Sequence, residues 1–290
     1  MWAIVINPVS GAGRGAVLGR EVAGYFSMKG LQYQIITASS AQKLRENLAG
    51  FLDSNIGNCQ GVISVGGDGL AHLVLQLTVP RGIPFAVIAG GTGNDFLRAI
   101  GWGLTDINSQ LDAVTTRDPQ PIDLGLVDSE WFGAILSTGF DSVVNEKANA
   151  LKWPKGPMKY NLAIAMELPK FKPLQYKIEL GGQIFETEAM LIAIGNGHSY
   201  GGGMQVCPNA DMQDGLFDLM ILRPVSKFEF LRVFPKVFTG KHIEHPQVEI
   251  YRTSKVSLSA DAVAYADGER IGGLPVRAEC MAGAGLSWCP

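Results

Sequence analysis

Residues 62–69 read Val-Ile-Ser-Val-Gly-Gly-Asp-Gly, an apolar run that ends in a glycine-rich loop. Residues 85–95, Phe-Ala-Val-Ile-Ala-Gly-Gly-Thr-Gly-Asn-Asp, repeat the same arrangement. A short apolar run bounded by turn residues is typical of a buried strand. After the first loop, Leu70, Leu73 and Leu77 fall on one face of a helix. The sequence therefore predicts two successive strand–loop–helix units.

The two loops have the composition of a phosphate-binding site. Glycine lets backbone N–H groups approach an anion closely, and a helix that begins after the loop adds partial positive charge. Each loop also carries a carboxylate, Asp68 in the first and Asp95 in the second. A carboxylate beside a phosphate is repulsive unless a cation intervenes, and Mg²⁺ prefers carboxylate and phosphate oxygens. Together the loops indicate a nucleoside triphosphate site with magnesium, although either loop alone also suits a turn.

The first half of the chain alternates strand and helix patterns. Its first strand, residues 3–6, leads into another glycine-rich turn at residues 7–15, which matches neither a P-loop nor the G-x-G-x-x-G dinucleotide fingerprint. Alternating strands and helices predict a doubly wound α/β domain with a parallel sheet over residues 1–120. In such sheets ligands bind at the carboxyl ends of the strands, where these loops lie.

From residue 121 onward the pattern is that of an antiparallel β-sandwich. Turn residues separate a series of strand candidates, namely 122–127, 131–137, 176–180, 185–194, 217–222, 248–259 and 275–280. Helical segments at residues 142–168 and 226–238 interrupt them. We therefore predict a second, β-sandwich domain over residues 121–290, with the last residues able to return to the first domain.

Composition narrows the class of protein. The chain has 290 residues, of which 47% are hydrophobic, and a formal net charge of −3. This charge argues against a nucleic-acid partner, since such proteins are usually strongly basic. The four scattered cysteines indicate reduced thiols in a cytoplasmic protein. No apolar run is long enough to cross a bilayer, so any membrane contact is expected to be peripheral, at the inner face.

With these residues in view, the chain resembles the soluble bacterial members of the diacylglycerol kinase family over nearly its whole length. The matching motifs are residues 7–11 (NPVSG), 66–69 (GGDG), 91–98 (GTGNDFLR), 196–203 (NGHSYGGG), 208–218 (PNADMQDGLFD) and 267–269 (DGE). The GGDG motif by itself also occurs in NAD kinases and phosphofructokinases, so the combination carries the resemblance.

The resemblance implies a lipid kinase that uses ATP and magnesium and works in the cleft between an α/β domain and a β-sandwich. It implies catalytic roles for Asp68, Asp95, Asp267 and Glu269, with Glu269 as the proton acceptor and Asp267 close to the metal or the substrate. The nucleotide contacts that it implies are Asn7, Pro8, Ser10, Gly11, Thr37, Gly66, Gly67, Asp68, Gly69, Thr92 and Asn94. It also implies a structural magnesium held by Asp214 and by main-chain oxygens of Asp211 and Leu216.

Two of these motifs also fit ordinary turns. For the DGE motif, the functional interpretation is that residues two apart on a strand face the same side, so Asp267 and Glu269 can enter one cleft. The alternative is that Asp-Gly-Glu forms a solvated turn, for which these residue types are equally suited. Residues 211–216 likewise fit an ordinary Asp-Gly turn before a strand as well as they fit a metal loop.

The chain departs from the family pattern directly after the first loop. The family usually has threonine where this chain has Leu70, and often asparagine where it has His72. The lost hydroxyl at the helix start removes a polar contact with phosphates, but the backbone donors at Gly66 to Gly69 remain, so we expect ATP binding to survive and to be weaker. His72 is expected to be an exposed helix residue, with a phosphate contact as the alternative.

Two segments are candidates for surface contacts. Residues 147–177 contain one acid, Glu167, and seven lysines: Lys147, Lys152, Lys155, Lys159, Lys170, Lys172 and Lys177. The aromatic residues Trp153, Tyr160 and Phe171 are interleaved with them. This composition fits a solvated basic face or a surface that docks on anionic membrane. The helix bearing Phe228, Phe230, Leu231, Phe234 and Phe238 is expected to pack in the core, with a lipid pocket or a homodimer interface as alternatives.

Three functions remain in competition on the sequence. The first is phosphorylation of diacylglycerol to phosphatidic acid in phospholipid metabolism, or of another lipid such as a monoacylglycerol, a sphingoid base or phosphatidylglycerol. The second is a kinase of NAD or another small metabolite, which the DGE and YGGG motifs disfavour. The third is a nucleotide- or lipid-binding protein without catalysis, prompted by Leu70 and His72.

Overall fold

The computed structural model describes residues 1–104, 107–151, 153 and 157–290. The strands are β1 (Trp2–Ile6), β2 (Tyr33–Ile36), β3 (Gly61–Gly66), β4 (Phe85–Ala89), β5 (Gln120–Val127), β6 (Glu130–Phe132), β7 (Ile135–Gly139), β8 (Leu174–Leu180), β9 (Gln183–Ala189), β10 (Leu191–Gly195), β11 (Phe217–Leu222), β12 (Val248–Thr253), β13 (Lys255–Ser259), β14 (Val263–Ala266), β15 (Glu269–Gly273) and β16 (Val276–Ser287). The α-helices are α1 (Arg14–Met28), α2 (Ala41–Ser54), α3 (Asp68–Thr78), α4 (Asp95–Ala99), α5 (Ile107–Thr116), α6 (Phe140–Ala150), α7 (Pro157–Glu167) and α8 (Lys227–Val233). Short 3-10 helices span Ser10–Gly13, Val79–Arg81, Phe234–Thr239 and Lys241–Glu244.

The first half forms a parallel sheet covered by helices on both faces. Its strands are ordered β2-β1-β3-β4, and each neighbouring pair is parallel. Residues on one face of β1 pack with α1 and α5, and those on the other face pack with α2, α3 and α4. The predicted doubly wound α/β fold is confirmed. Because the strands are parallel, the loops after β1, β3 and β4 meet at one edge.

This sheet continues into the second half through the last strand. Ser287 at the end of β16 pairs with Phe85 of β4, and the Ser287 hydroxyl donates a 2.8 Å hydrogen bond to the Phe85 carbonyl. The neighbouring Trp288 packs on Trp2 of β1 with ring centroids 5.7 Å apart. Strand β16 also pairs antiparallel with β5 and β13, and β13 pairs in turn with β8 and then β9. The parallel strands and the larger sheet of the second half therefore form one continuous sheet.

The second sheet is antiparallel and has two different faces. Its strands are ordered β12-β11-β10-β7-β14-β15. One face, with Leu136, Ile192 and Leu219, packs against the larger sheet to form the core of a sandwich. The opposite face, with Ala193 and Met220, lies under α6 and α8. The antiparallel sandwich that the sequence predicts is confirmed.

Three predicted single strands are each two strands in different sheets. The predicted strand 131–137 divides into β6 and β7, 185–194 into β9 and β10, and 248–259 into β12 and β13. In the second of these, β9 alternates between exposed and buried residues while β10 is almost continuously buried. An apolar run alone does not reveal such a division, because a strand keeps its β conformation while it changes its neighbours.

The helical insertions also divide. The predicted segment 142–168 forms α6 and α7, and the predicted segment 226–238 forms α8 followed by the 3-10 helix Phe234–Thr239.

In the described part of the chain, every helix is too short or too polar to cross a bilayer.

Candidate active site

The loops after β1, β3 and β4 pack directly on one another. The Ser10 hydroxyl donates to the Gly90 carbonyl at 3.0 Å, and the Gly90 N–H donates to the Gly66 carbonyl at 2.8 Å. Gly91 lies so close to Gly67 that a Cβ atom on Gly91 would be 2.5 Å from the Gly67 Cα. Glycine is required at this contact because the two backbones approach too closely for a side chain. The loops thus form one continuous backbone surface at the edge of the sheet.

Asp68 joins two of these loops. One carboxylate oxygen accepts the N–H of Asn94 at 2.7 Å and the other accepts the N–H of Asp95 at 2.9 Å, at the beginning of α4. Burial, followed by the negative charge of Asp95, raises the pKa of Asp68 to about 6. A divalent cation between these carboxylates would relieve their repulsion in favour of the ionised forms. Asp68 and Asp95 therefore fit a magnesium ion bound together with phosphate oxygens.

Asp95 connects the first half of the chain to the second. Its carboxylate accepts the N–H groups of Gly202 and Gly203, each at 2.8 Å, and lies 3.3 Å from the Ser199 hydroxyl. Gly202 and Gly203 both have positive φ, which lets consecutive N–H groups point at the same carboxylate. Residues 199–203 belong to one of the family motifs, but the sequence alone did not predict that this loop is the partner of Asp95.

Asp267 is a buried anchor in a turn. Its carboxylate accepts the backbone N–H groups of Gly133, Ala134 and Ile135 at 2.7 to 3.2 Å. Asp267 and Gly268 both have positive φ between β14 and β15, as a type I′ hairpin turn requires. Strand alternation is not what places Asp267, because it lies in the turn before β15, yet Asp267 and Glu269 do line one cavity, as the sequence predicted. The turn is nevertheless not solvated at this residue, whose side chain is 6% exposed.

Glu269 begins the next strand and lies over the first glycine loop. A Cβ atom on Gly69 would be 2.8 Å from Glu269 Oε1, so the carboxylate reaches the start of α3 across the gap between the halves. Glu269 is exposed, and it lines the same cavity as Asp68 and Asp95. The three carboxylates thus face one space rather than separate surfaces.

That space is a cavity of about 990 Å³ that extends from the glycine loops beneath the helices of the second half. Its far part is lined mainly by apolar residues of the six-stranded sheet, on the face that lies under α6 and α8, and of the helices themselves, including Phe140, Val144, Met220, Phe230 and Phe234. A few polar side chains, Asp141, Asn145, His242 and His245, also line the cavity. The glycine loops and carboxylates therefore converge at one end, and mostly hydrocarbon side chains surround the other. Such a cavity suits a ligand with a polar head and an apolar tail.

Only some of the predicted nucleotide residues line the cavity. The residues that line the cavity are Ser10, Gly11, Gly67, Asp68, Gly69 and Thr92. Others shape the loops: Asn94 is buried and bonds with both the N–H and the carbonyl of Gly91, and the side chain of Asn7 accepts the N–H of Val9. Pro8 and Gly66 belong to these loops without lining the cavity, and Thr37 is exposed after β2.

The acidic loop at residues 211–216 is held by protein groups. One Asp214 oxygen accepts the N–H of Leu216 at 2.9 Å, and the other bonds with Arg252. The Asp211 side chain accepts the N–H of Gln213 at 3.0 Å. Within the described residues, no group of three or more His, Cys, Asp or Glu side chains is arranged to hold a metal ion. A structural magnesium at Asp211, Asp214 and Leu216 stays a prediction.

His72 does not lie on the surface, so the expectation of an exposed histidine is wrong. Its side chain is 8% exposed, and its ring lies between Asp267 and Glu130 of the second half. Leu70, the other departure from the family pattern, is 7% exposed and packs in the core of the first half. The sequence did contain a signal that His72 is not an isolated surface residue, because Gly69, His72 and Gln76 lie on one face of the helix.

Comparison with known proteins agrees with this geometry. A family model described as the diacylglycerol kinase catalytic domain matches residues 1–127, and one described as the YegS C-terminal NAD kinase beta sandwich-like domain matches residues 134–285. A diacylglycerol kinase of Mycobacterium tuberculosis (strain CDC 1551 / Oshkosh) is 34% identical over 270 residues, covering 91% of this chain and 86% of that protein. A diacylglycerol kinase of Bacillus subtilis (strain 168) is 33% identical over 219 residues, covering 74% and 72%.

The fold is also found among solved structures. A diacylglycerol kinase from Bacillus anthracis strain Sterne superposes with a TM-score of 0.77 and 20% identity, covering 100% of this chain and 96% of that one. The family models and the curated relatives, on this fold, define a phosphotransferase that acts on a lipid. More particularly, this chain belongs to the diacylglycerol kinase family.

Proposed function

We propose that this chain transfers the γ-phosphoryl group of ATP to the hydroxyl of diacylglycerol and so produces phosphatidic acid. One observation carries the proposal: a single cavity joins the glycine loops and three carboxylates to an apolar chamber. Phosphate chemistry needs the first part, and the acyl chains of a lipid need the second.

The phosphate end is suited to a triphosphate. Backbone N–H groups of the loops around Ser10, Gly67 and Gly91 are the proposed phosphate donors, aided by the N-terminus of α3. Asp68 and Asp95 are the residues that would hold magnesium, which neutralises phosphate charge when bound. The hydrogen bonds of Asp95 to Gly202 and Gly203 keep the second half of the chain against this end.

Glu269 is the proposed general base. The acceptor oxygen forms a bond to the γ-phosphorus while the bond from that phosphorus to the ADP oxygen breaks, and the hydroxyl proton passes to the Glu269 carboxylate. Asp267 fixes the turn that carries Glu269 by accepting three backbone N–H groups. The base is thus supported by the body of the sandwich and presented to the loops of the other half.

A transfer assay with purified protein, γ-labelled ATP and diacylglycerol in mixed micelles tests this proposal. We expect labelled phosphatidic acid that requires both magnesium and the lipid. Monoacylglycerol, a sphingoid base and phosphatidylglycerol serve as parallel acceptors. Preference for one of these would replace diacylglycerol as the substrate, and labelling of NAD instead of every lipid would overturn the proposal.

We also propose that this chain is cytoplasmic and that the helices around the apolar chamber dock on the inner face of an anionic membrane. Large apolar side chains are exposed there, including Trp153 (75%), Met158 (64%) and Phe228 (78%). Tyr160 and Phe238 are exposed as well and also line the cavity, so the chamber reaches the surface at these two residues. We call these five residues the apolar rim.

The charge near the apolar rim is mixed. Lys147 and Lys170 pair with Glu167 at 3.8 and 3.6 Å, which partly neutralises both lysines. Lys152 and Lys155 lie outside the described residues. Phe171, one of the aromatic residues interleaved with the lysines, packs edge-on against Phe140. Apolar insertion therefore contributes alongside the lysines, each of which adds about 1 kcal/mol near an anionic surface.

Sedimentation with phosphatidylglycerol-containing vesicles tests the docking surface. We expect wild-type protein to bind, and the double substitution Trp153→Ser and Phe228→Ser to weaken binding at least about tenfold, because two exposed apolar anchors are lost. Ile56→Ser, at a residue 73% exposed in the first half, is the matched control. If the rim substitutions left vesicle binding unchanged, this surface would be rejected as the membrane contact. If the wild type formed dimers that the same substitutions dissociate, the surface would instead be a contact between two copies of the chain.

A further inference from the structure

Helix α3 carries a narrow polar stripe formed by Gly69, His72 and Gln76. These residues are three and four positions apart, so they lie on one face of the helix. Most of the rest of α3 is buried among apolar residues of the first half. The stripe faces the second half, with Gly69 under Glu269, His72 between Asp267 and Glu130, and Gln76 on Trp131.

Gln76 fixes how α3 meets β6. Its Oε1 accepts the Trp131 N–H at 2.9 Å, while its Nε2 donates to the Trp131 carbonyl at 2.7 Å and to the His72 carbonyl at 3.1 Å. These bonds determine the orientation of the amide and use both of its hydrogens. His72 Nε2 lies 3.4 Å from the same nitrogen, farther than either carbonyl, so it receives only a weak, shared hydrogen from Gln76.

Each ring nitrogen of His72 instead has a carboxylate as its nearest charged neighbour. Nδ1 lies 3.6 Å from Asp267 Oδ2, and Nε2 lies 3.9 Å from Glu130 Oε2. A neutral imidazole offers a lone pair at one nitrogen, which would face one of these carboxylates. Both separations are longer than a hydrogen bond, and Nδ1 has no hydrogen-bond partner among the described residues, so the attraction is ionic. A doubly protonated ring places a positive charge between the two carboxylates, and the surroundings therefore favour the imidazolium.

We infer that His72 is a positioning residue whose imidazolium links Asp267 to Glu130 and holds the turn of residues 267–269 against α3, so that Glu269 stays over Gly69. The inference rests on the proposed role of Glu269 as general base. It assigns a purpose to a residue at which this chain departs from the family pattern.

The electrostatics agree with this assignment. Burial by itself lowers the pKa of His72, but Asp267 and then the charges of Glu130 and Glu269 outweigh burial, and the pKa is raised above its usual 6.5. A histidine with a raised pKa stabilises the folded arrangement below that pKa, and the stabilisation is lost as the pH rises through it. The link should therefore weaken on the alkaline side.

A proton NMR titration of the histidine rings tests the charge without any activity measurement. The chain has four histidines, and substituting His198, His242 and His245 one at a time identifies their resonances and leaves that of His72. We expect His72 to titrate above 6.5, and His198 and His242 below it because burial lowers their pKa. A pKa of His72 at or below 6.5 would overturn the inference.

Kinetics test the positioning role. We expect His72→Gln, which removes the positive charge, to lower kcat by up to about a hundredfold, as misplacement of a base does, while KM for ATP is unchanged. The decline of wild-type kcat toward alkaline pH should disappear in this variant. Unchanged kcat with an unchanged pH profile would refute the positioning role. The two proposals can fail separately. If the wild-type protein transferred no phosphate to any lipid but its His72 titrated as expected, the proposed function would be rejected and the ionic contact of His72 with Asp267 and Glu130 would still hold.

Discussion

Glu269→Gln should lower kcat for lipid phosphorylation by about 10² to 10⁴, the range that a positioned general base contributes. The amide has nearly the shape of the carboxylate but cannot accept the proton of the acceptor hydroxyl. Glu269 is exposed and starts β15, so the substitution should leave the fold intact. Initial rates with saturating ATP and lipid measure kcat, and calorimetry measures ATP affinity, which we expect to be unchanged.

Glu188→Gln provides the matched control. Glu188 is also an exposed glutamate on a strand, β9, and it lies at the far edge of the larger sheet. Its kcat should equal that of the wild type. Near-normal turnover of the Glu269 variant would remove Glu269 from the role of base, whereas a parallel loss of ATP affinity would place it in nucleotide binding instead.

Gly91→Ala should weaken ATP binding by about tenfold or more. The new Cβ would lie 2.5 Å from the Cα of Gly67, a contact between two backbones in which neither partner is the end of a flexible side chain. The loops after β3 and β4 must separate to accept it, which moves the N–H groups proposed to bind phosphate. A tenfold loss of affinity corresponds to about 1.4 kcal/mol of binding free energy.

Gly24→Ala is the control for this substitution. Gly24 lies within α1, and a Cβ atom there meets nothing within 4 Å. Alanine should raise the free energy of unfolding by roughly 0.5 to 1 kcal/mol, because glycine weakens a helix interior. ATP affinity should not change. If Gly91→Ala bound ATP as tightly as the wild type, the packed loops would not be the phosphate site.

The local elements of the site could be predicted from the sequence because short-range chemistry specifies them. An apolar run followed by glycines produces a strand and a tight loop wherever it occurs, and the parallel order places such loops at one edge. Asp68 and Asp95 could therefore be assigned to one site from the order of the strands and loops alone. The family resemblance added Glu269, which nothing in its own neighbourhood distinguishes from a turn residue.

The partners of these residues could not be predicted in the same way. Asp267 was expected beside Glu269 on a strand, but positive φ at Asp267 and Gly268 makes a hairpin turn in which Asp267 holds residues 133–135. His72 was expected in solvent, and the approach of the second half buries it. Both outcomes depend on contacts between residues that are distant in the sequence, which no local pattern encodes.

The sequence by itself determined the strands, the glycine loops and the chemical types of the acidic residues, since backbone sterics and hydrophobic periodicity act over a few residues. Tertiary structure alone decided which strands changed sheets, how an apolar chamber came to open onto the glycine loops, and which groups surround His72. The physical reason is that the six-stranded sheet packs one face against the larger sheet and the other against α6 and α8, and this packing joins distant segments. The cavity and the electrostatic surroundings of His72 are properties of that assembly.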